Sequence, residues 1–134
     1  MSLTSLYENV SREEFINFRG HSGKIDYSSI PKFLDLDKAA ISKIADVSKA
    51  SVRYDHKIPK EVQEHLDRIA NICQLVAEAF NGDSEKTTFW FKEQNPLLGY
   101  VSPRDMIKLG RYKKLMQFVI DARKSAGIGG KEEE

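Results

Sequence analysis

Histidine and cysteine, the side chains most often used as proton carriers, nucleophiles and metal ligands, are few and scattered in this chain. The three histidines are His21, His56 and His65, and the single cysteine is Cys73. None of them has a carboxylate or cysteine partner at ligand spacing, and the sequence "GIGG" near the C-terminus has no helix after it to bind phosphate. We therefore expect no catalytic set, no metal and no cofactor, and predict that the chain is not an enzyme.

Hydroxyl and basic side chains between residues 43 and 57 are of the types that contact DNA. A helix in the major groove can use serines and lysines near its N-terminus for phosphates and base edges, and an arginine for guanine. Arg53 is the candidate for reading guanine, whereas Asp46 and Asp55 would repel phosphate. The candidate DNA-binding residues are Lys43, Ser48, Lys49, Ser51, Arg53 and Lys57.

Two short helices joined by a tight turn would position these residues. Asp37 can cap a first helix that carries Ile41 and Ile44, and Ser48 can cap a second helix that runs to about His56. Such a pair has the composition of a helix-turn-helix, whose second helix enters the major groove. A plain helical hairpin with a basic exterior is the alternative, and the pattern leaves both open.

The stretch "NPLLGYVSPRDMIKLGR", residues 95–111, combines apolar side chains with prolines and glycines that fix the backbone. Its Asn-Pro start favours an extended chain, and Gly99 permits a turn with positive φ. Ser102 and Asp105 form a capping box for a short helix, which Gly110 can end. One of the two adjacent leucines is expected to point inward and the other to be exposed. The stretch is therefore a candidate contact surface.

Helical spacing dominates the rest of the chain, and the predicted fold class is all-α. The longest helix is expected from Pro59 to about Phe80, where apolar residues recur at intervals of three and four. Cys73 lies on this apolar stripe and is read as a small core residue. Shorter helices are expected at about 11–18 and 84–92, and a final amphipathic helix after residue 111.

Composition and charge limit the classes of partner. The chain has 134 residues, a net charge of +1, 40% hydrophobic residues and 31% charged residues, enough for one domain or two small ones that share a core. No apolar run approaches the roughly 20 residues of a membrane span, so we expect no membrane partner. A single cysteine suits a reducing cytosol.

The charge is unevenly distributed along the chain. Segments 37–60 and 103–124 have net charges of +3 and +5, and segment 61–102 between them has −4. Two basic segments in a nearly neutral chain permit two anionic partners, although solvated helix faces explain each segment equally well.

The segment "AFNGDSEKTTFWFKEQNPLLGYVSPRDMIKLG", with the amphipathic helix and Gly127 that follow it, resembles the C-terminal domain of Xre/MbcA/ParS-type antitoxins. Those domains typically have a helix ending in phenylalanine and glycine, a short helix with an aromatic residue, then Asn-Pro-x-Leu-Gly-Gly and a Pro-x-Asp-x-Leu helix. Tyr100 stands where the second glycine usually is. The resemblance covers about residues 31–127, of which 31–80 match the family's helix-turn-helix half. The matching residues are Phe80, Gly82, Trp90, Asn95, Pro96, Leu98, Gly99, Pro103 and Asp105.

This resemblance implies a cytoplasmic type II antitoxin that binds and neutralises a RES-domain toxin, an enzyme that consumes NAD. It also implies repression of its own operon through operator DNA, and a homodimer or a higher hetero-oligomer with the toxin. The alternative is a stand-alone helix-turn-helix transcription regulator without a toxin partner. The candidate toxin-binding residues are Asn95, Pro96, Leu98, Gly99, Ser102, Arg104, Met106, Lys108, Arg111 and Tyr112.

The expected organisation has four parts. They are an N-terminal arm at 1–30, a helix-turn-helix region with the long central helix at 31–80, a toxin-binding domain at 81–127 and a flexible tail at 128–134.

Overall fold

The computed structural model describes residues 14–127, which form helices joined by short turns. The start of the predicted capping box at Ser11 and the predicted tail at 128–134 lie outside the described residues. The all-α prediction is confirmed, because the described residues contain helices and two isolated bridge pairs but no strand. Their α-helices are α1 (Ser29–Phe33), α2 (Lys38–Ala45), α3 (Lys60–Ala79), α4 (Ser84–Lys92), α5 (Pro103–Lys108) and α6 (Tyr112–Ser125), with 3-10 turns at Lys49–Ser51 and Pro96–Leu98.

Helix α3 is the centre of the fold and confirms the predicted long helix. Its apolar residues recur every three or four positions, so that Val62, Leu66, Ile69 and Cys73 form a continuous buried stripe. The second half of the helix is apolar on a further face, which includes the buried Leu75. A helix buried on two sides can hold neighbours on both, and α3 packs against α1, α2, α4 and α6.

The predicted helix at 11–18 is wrong over its described residues, 14–18, which are irregular. Ile16 and Phe18 are buried, while Asn17 between them is exposed. The chain bends at Phe15 and Ile16 and makes no helical turn over residues 14–18.

Gln74 on α3 explains why this segment is not helical. Its Oε1 accepts hydrogen bonds from the backbone N–H groups of Phe15 and Ile16 at 2.7 and 2.9 Å, and its Nε2 donates to the Ile16 carbonyl at 2.7 Å. One amide side chain therefore satisfies three backbone groups of this segment. The tertiary contact overrides the local capping signal and fixes this segment to α3.

The first helix of the predicted helix-turn-helix is present as α2. The Asp37 carboxylate accepts a hydrogen bond from the Ala40 N–H at 2.8 Å, which is the predicted cap. The helix ends at Asp46, whose φ of 57° is left-handed, and the Val47 N–H donates to the Ser42 carbonyl at 3.1 Å. This C-terminal turn reverses the chain sharply.

The predicted second helix, from Ser48 to about His56, is not formed. In its place the 3-10 turn Lys49–Ser51 is followed by irregular chain up to Pro59. Val52 gives the physical reason, because its side chain is 2% exposed and its ψ of 112° is extended. The chain turns inward at Val52 to place this side chain in the core, and it therefore leaves the helical conformation.

Helices α4, α5 and α6 complete the packing around α3. The three consecutive aromatic residues of α4 differ in exposure: Phe91 is fully buried, Trp90 is half-buried and Phe89 is 65% exposed. Arg123 on α6 donates to the Leu75 carbonyl at 2.8 Å and pairs with Glu78 at 2.7 Å. These contacts fix α6 along the C-terminal half of α3.

One hydrophobic core includes buried residues from both sides of residue 80, among them Ile41 and Leu115. The division of the chain into domains at that residue stays a prediction. No helix in residues 14–127 is both long enough and apolar enough to cross a membrane.

Candidate protein-interaction site

Residues 95–101, here called the tip, connect α4 to α5 and are organised by Asn95. The Asn95 side-chain Oδ1 accepts a hydrogen bond from the Leu97 N–H, and its backbone carbonyl accepts one from the Tyr100 N–H, each at 2.9 Å. The Asn95 N–H donates to the Val101 carbonyl at 3.3 Å and closes the base of the tip. Asn95, a predicted toxin-binding residue, thus shapes the loop through its own hydrogen bonds.

Two consecutive residues of the tip have left-handed backbones. The φ angle is 75° at Gly99 and 65° at Tyr100. Glycine adopts this conformation readily, whereas a residue with a Cβ is destabilised there by roughly 1–2 kcal/mol. Tyr100 occupies the position at which the resembled family usually has its second glycine, and the backbone keeps a glycine-like conformation. The strained residue presents its side chain outward, 67% exposed.

The tip and the end of α5 expose three large apolar side chains. Leu97 is 79% exposed, Tyr100 is 67% exposed and Leu109 is 58% exposed. Leu98, the leucine predicted as a contact residue, is half-buried against the core. The sequence indicated that one leucine would be inward and one exposed, but its spacing did not say which. Leu97, Tyr100 and Leu109 are absent from the candidate residues chosen from the sequence.

Ser102 and Met106, both predicted to contact a toxin, face inward at 5% and 4% exposure. The Ser102 hydroxyl oxygen accepts a hydrogen bond from the Asp105 N–H at 3.0 Å, which confirms the predicted capping of α5. Met106 lies on the apolar side of this short helix. Both residues therefore support the site from below and are not on its surface.

Arg104, another candidate contact, binds two backbone carbonyls about 70 residues earlier in the chain. Its Nε donates to the Leu34 carbonyl at 2.6 Å, and its Nη2 donates to the Asp35 carbonyl at 2.8 Å. Lys92 on α4 pairs with the Asp35 carboxylate at 2.6 Å, and this hydrogen bond holds the Asp35 pKa below its usual value. Arg104 and Lys92 thus clamp the turn after α1, where Asp35 has a φ of 54°.

Tyr112, at the start of α6, is also internal. Its ring stacks on His65 of α3 with centroids 5.4 Å apart, and a hydrogen bond of 3.1 Å joins Tyr112 Oη to His65 Nδ1. Burial lowers the pKa of His65, and the nearby charge of Arg68 lowers it further. The predicted role of Tyr112 as a surface contact does not fit a side chain that is 7% exposed.

The corner between α5 and α6 presents cations. The Arg111 N–H donates to the Met106 carbonyl and the Gly110 N–H to the Ile107 carbonyl, both at 2.9 Å, and φ is 74° at Gly110. These are the two hydrogen bonds of a Schellman motif, which fixes the corner. The exposed basic residues here are Lys108, Arg111, Lys113 and Lys114.

We define the apolar-basic surface as Leu97, Tyr100, Lys108, Leu109 and Arg111. The tip precedes α5 and the basic corner follows it, and a six-residue helix is only about 9 Å long. Exposed apolar anchors beside arginine are typical of protein interfaces rather than of catalytic sites. Pro96 and Gly99, the remaining candidates of the tip, are exposed and shape its backbone.

The predicted DNA-binding residues are exposed, but they do not lie on a recognition helix. Ser48 and Ser51 share a hydrogen bond of 2.8 Å between their hydroxyl oxygens. Arg53 binds Asp55 through two hydrogen bonds, with its Nε 2.8 Å from Oδ1. The hydrogen bonds that Asp55 accepts from the Arg53 side chain and from the Lys57 N–H lower its pKa to about 2. Arg53 therefore faces a carboxylate that stays ionised.

Among residues 14–127, no group of three or more histidine, cysteine, aspartate or glutamate side chains is arranged to hold a metal ion. Cys73 is fully buried on α3, and burial raises the pKa of its thiol far above the usual value. The candidate site is therefore the apolar-basic surface.

No family model matches the chain, and no curated protein matches it. Among solved structures, a chain in the crystal structure of the M. tuberculosis MbcT–MbcA toxin–antitoxin complex is 17% identical to this one, with a TM-score of 0.47. That alignment covers 75% of this chain and 92% of that chain. A likeness of this extent describes a partial overlap of backbones and carries no conclusion about function.

Proposed function

We propose that this chain is a non-enzymatic antitoxin of the Xre/MbcA/ParS type, which binds a RES-domain toxin and blocks its consumption of NAD. The observation that carries the proposal is local. The Asn-Pro-to-Asp motif that resembles this family folds into a tip whose backbone is fixed by Asn95, and the tip presents Leu97 and Tyr100 to solvent. A preformed apolar anchor loses little conformational entropy on binding, which favours a tight protein complex.

The charges of the apolar-basic surface suit the same partner. Lys108 and Arg111 lie on either side of the exposed Leu109, on a corner that the Gly110 turn holds in place. Their positive charges complement acidic groups on the surface of a partner, and an arginine beside apolar anchors also favours a protein contact. Assembly as a homodimer or a higher hetero-oligomer with the toxin, in the cytoplasm, belongs to this proposal.

The second candidate function is transcriptional regulation by binding operator DNA. The 3-10 turn Lys49–Ser51 has only three residues and is too short to act as a recognition helix in the major groove. Arg53 is paired with Asp55. These observations disfavour sequence reading by the segment 48–57, so that we place operator binding second to toxin binding. If Arg53→Ala lowers operator affinity while toxin binding is unchanged, the segment 48–57 does contact DNA, and placing operator binding second is wrong.

Rescue of growth from the toxin tests the antitoxin proposal. The chain is co-expressed with its cognate RES-domain toxin, as wild type, as the double variant Leu97→Ser with Tyr100→Ser, and as Phe89→Ser. Phe89 is a matched control because it is another exposed apolar residue, at 65%, on a different helix. We expect rescue by the wild type and by Phe89→Ser, and loss of rescue with the double variant.

Each result has a distinct meaning. A wild-type chain that does not restore growth contradicts the antitoxin function. A double variant that rescues as well as the wild type leaves the function intact but removes the tip as the contact.

A further inference from the structure

A groove with an almost entirely apolar lining runs between α3 and α6, away from the tip. It encloses about 140 Å³. Its floor is formed by Leu75 and Ala79 of α3 with Phe118 and Ala122 of α6, and Trp90 of α4 stands at its edge. Apolar side chains gathered in a groove of this kind mark a candidate binding surface.

The groove continues beyond its edge. A second, shallower depression is lined by Phe80, Phe89 and Trp90, of which Phe80 and Trp90 also line the first. Phe89 is 65% exposed there, and the charged residues Glu85, Lys86 and Glu93 also line this depression. We call the two depressions together the aromatic groove.

The described part of the chain begins beside this groove. The Phe15 N–H donates to Gln74, the residue before Leu75 in the groove floor. The Phe15 ring lies 3.8 Å from the position that a Cβ on Gly82 would occupy, and Gly82 follows Phe80 by two residues. The backbone is therefore tied down next to one end of the aromatic groove, and residues 1–13 precede this anchor.

Residues 1–13, "MSLTSLYENVSRE", have the side chains that such a groove would take. Apart from Met1, their apolar members lie at positions 3, 6, 7 and 10, spaced as on one face of a helix, and polar residues fill the positions between them. A segment of 13 residues can reach about 40 Å when fully extended. This length is ample for a segment whose anchor at Phe15 already lies next to the groove. Because the segment is tethered, its effective concentration at the groove is on the order of millimolar.

We propose that the N-terminal segment of this chain occupies its own aromatic groove, with the apolar side chains of Leu3, Leu6, Tyr7 and Val10 covering Phe80, Trp90 and Phe118. The tether favours this occupant over a second copy of the chain or another protein, since either of those would bind from dilute solution. The proposal does not depend on the antitoxin function, because the groove and the tip are separate surfaces.

Trp90 provides a direct measurement, because it is the only tryptophan of the chain and lines both depressions. The full chain is compared with a chain that lacks residues 2–13, by emission wavelength and by acrylamide quenching. We expect the truncated chain to emit at longer wavelength and to be quenched more strongly. A synthetic peptide of residues 1–13 added to the truncated chain should reverse both changes.

Two point variants keep the test informative if the truncated chain folds poorly. Leu6→Ser with Val10→Ser removes apolar side chains and should reproduce the effect of truncation. Ser5→Ala with Asn9→Ala changes the polar positions of the same segment and should leave Trp90 as in the wild type. Circular dichroism verifies that all variants keep the helical content.

Three results overturn the proposal. The first is equal emission and quenching in the full and truncated chains. The second is wild-type behaviour of the Leu6→Ser/Val10→Ser variant. The third is emission that changes with protein concentration in parallel with a change of sedimentation coefficient, which would mean that a second copy covers the groove.

Discussion

Arg104 Nε donates a hydrogen bond of 2.6 Å to the carbonyl oxygen of Leu34, 70 residues earlier in the chain. The same guanidinium binds the next carbonyl, that of Asp35, at 2.8 Å. The last carbonyls of a helix lack partners within it, and a cation there also offsets the negative end of the helix dipole. Arg104 thus caps the turn after α1. Because Arg104 lies on α5, it links α5 to this turn.

Replacing Arg104 by alanine should destabilise the protein by about 1–2 kcal/mol, because two backbone carbonyls lose a charged donor. Urea unfolding followed by circular dichroism measures the change. Lys108→Ala is the matched control, since Lys108 is an exposed cation of the same helix, and we expect it to change the free energy of unfolding by less than about 0.5 kcal/mol. Equal losses for the two variants would contradict a capping role for Arg104.

Tyr100→Gly should raise the free energy of unfolding by up to about 1 kcal/mol, because it relieves a left-handed residue that bears a Cβ. The same variant should weaken toxin binding by removing an exposed anchor. Gly99→Ala should act in the opposite direction on stability, by about 1 kcal/mol, since a Cβ at Gly99 meets nothing within 4 Å and only the backbone is strained. Thermal unfolding and a binding titration of each variant check the two effects. A Tyr100→Gly protein that is less stable than the wild type would show that the ring has a structural role.

His65 should make the protein less stable as the pH falls below the ordinary histidine pKa of 6.5. Its pKa is lowered in the folded state, first by burial and then by Arg68, so the unfolded chain takes up the proton first. Above pH 6.5 both states are neutral at this position and the effect vanishes. Urea midpoints at about pH 7.5 and about pH 5.5 should therefore differ more for the wild type than for His65→Gln. Parallel behaviour of the two proteins would exclude His65 as the cause.

Cys73 should be unreactive in the native protein. Its side chain is fully buried, and burial raises the pKa of its thiol, so little thiolate is available to a reagent. Labelling with a disulfide reagent should occur at the rate of unfolding, and it should be faster in Arg104→Ala than in Lys108→Ala. Rapid complete labelling of the folded wild type would refute this prediction.

Signals that act within a few residues were read correctly. Asp37 and Ser102 accept the expected capping hydrogen bonds, and α3 and α4 are found where the sequence predicted them. These features depend on the chain within one or two helical turns. The turn at Gly110 is of the same kind, because only the adjacent backbone determines its conformation.

Errors arose where a distant side chain competed with a local signal. The helix predicted to include Phe15 is replaced by an irregular segment because Gln74, 59 residues away, binds its backbone. The helix predicted to begin at Ser48 gives way because Val52 is drawn into the core. In both cases burial and tertiary hydrogen bonds outweigh the small free energy of a helix cap.

In the candidate binding surface, the backbone conformation was predictable from the sequence, whereas the exposed side chains were not. Residue types alone predict that residues 95–111 form a firmly held turn followed by a capped helix, because proline, glycine and capping residues act on the adjacent backbone. Which side chains that backbone exposes depends on the packing of the folded protein. Met106 and Tyr112 are taken up by the core and Arg104 by the carbonyls after α1, whereas Leu97, Tyr100 and Leu109 remain exposed. Exposure depends on what packs against a side chain, and those neighbours come from distant parts of the chain.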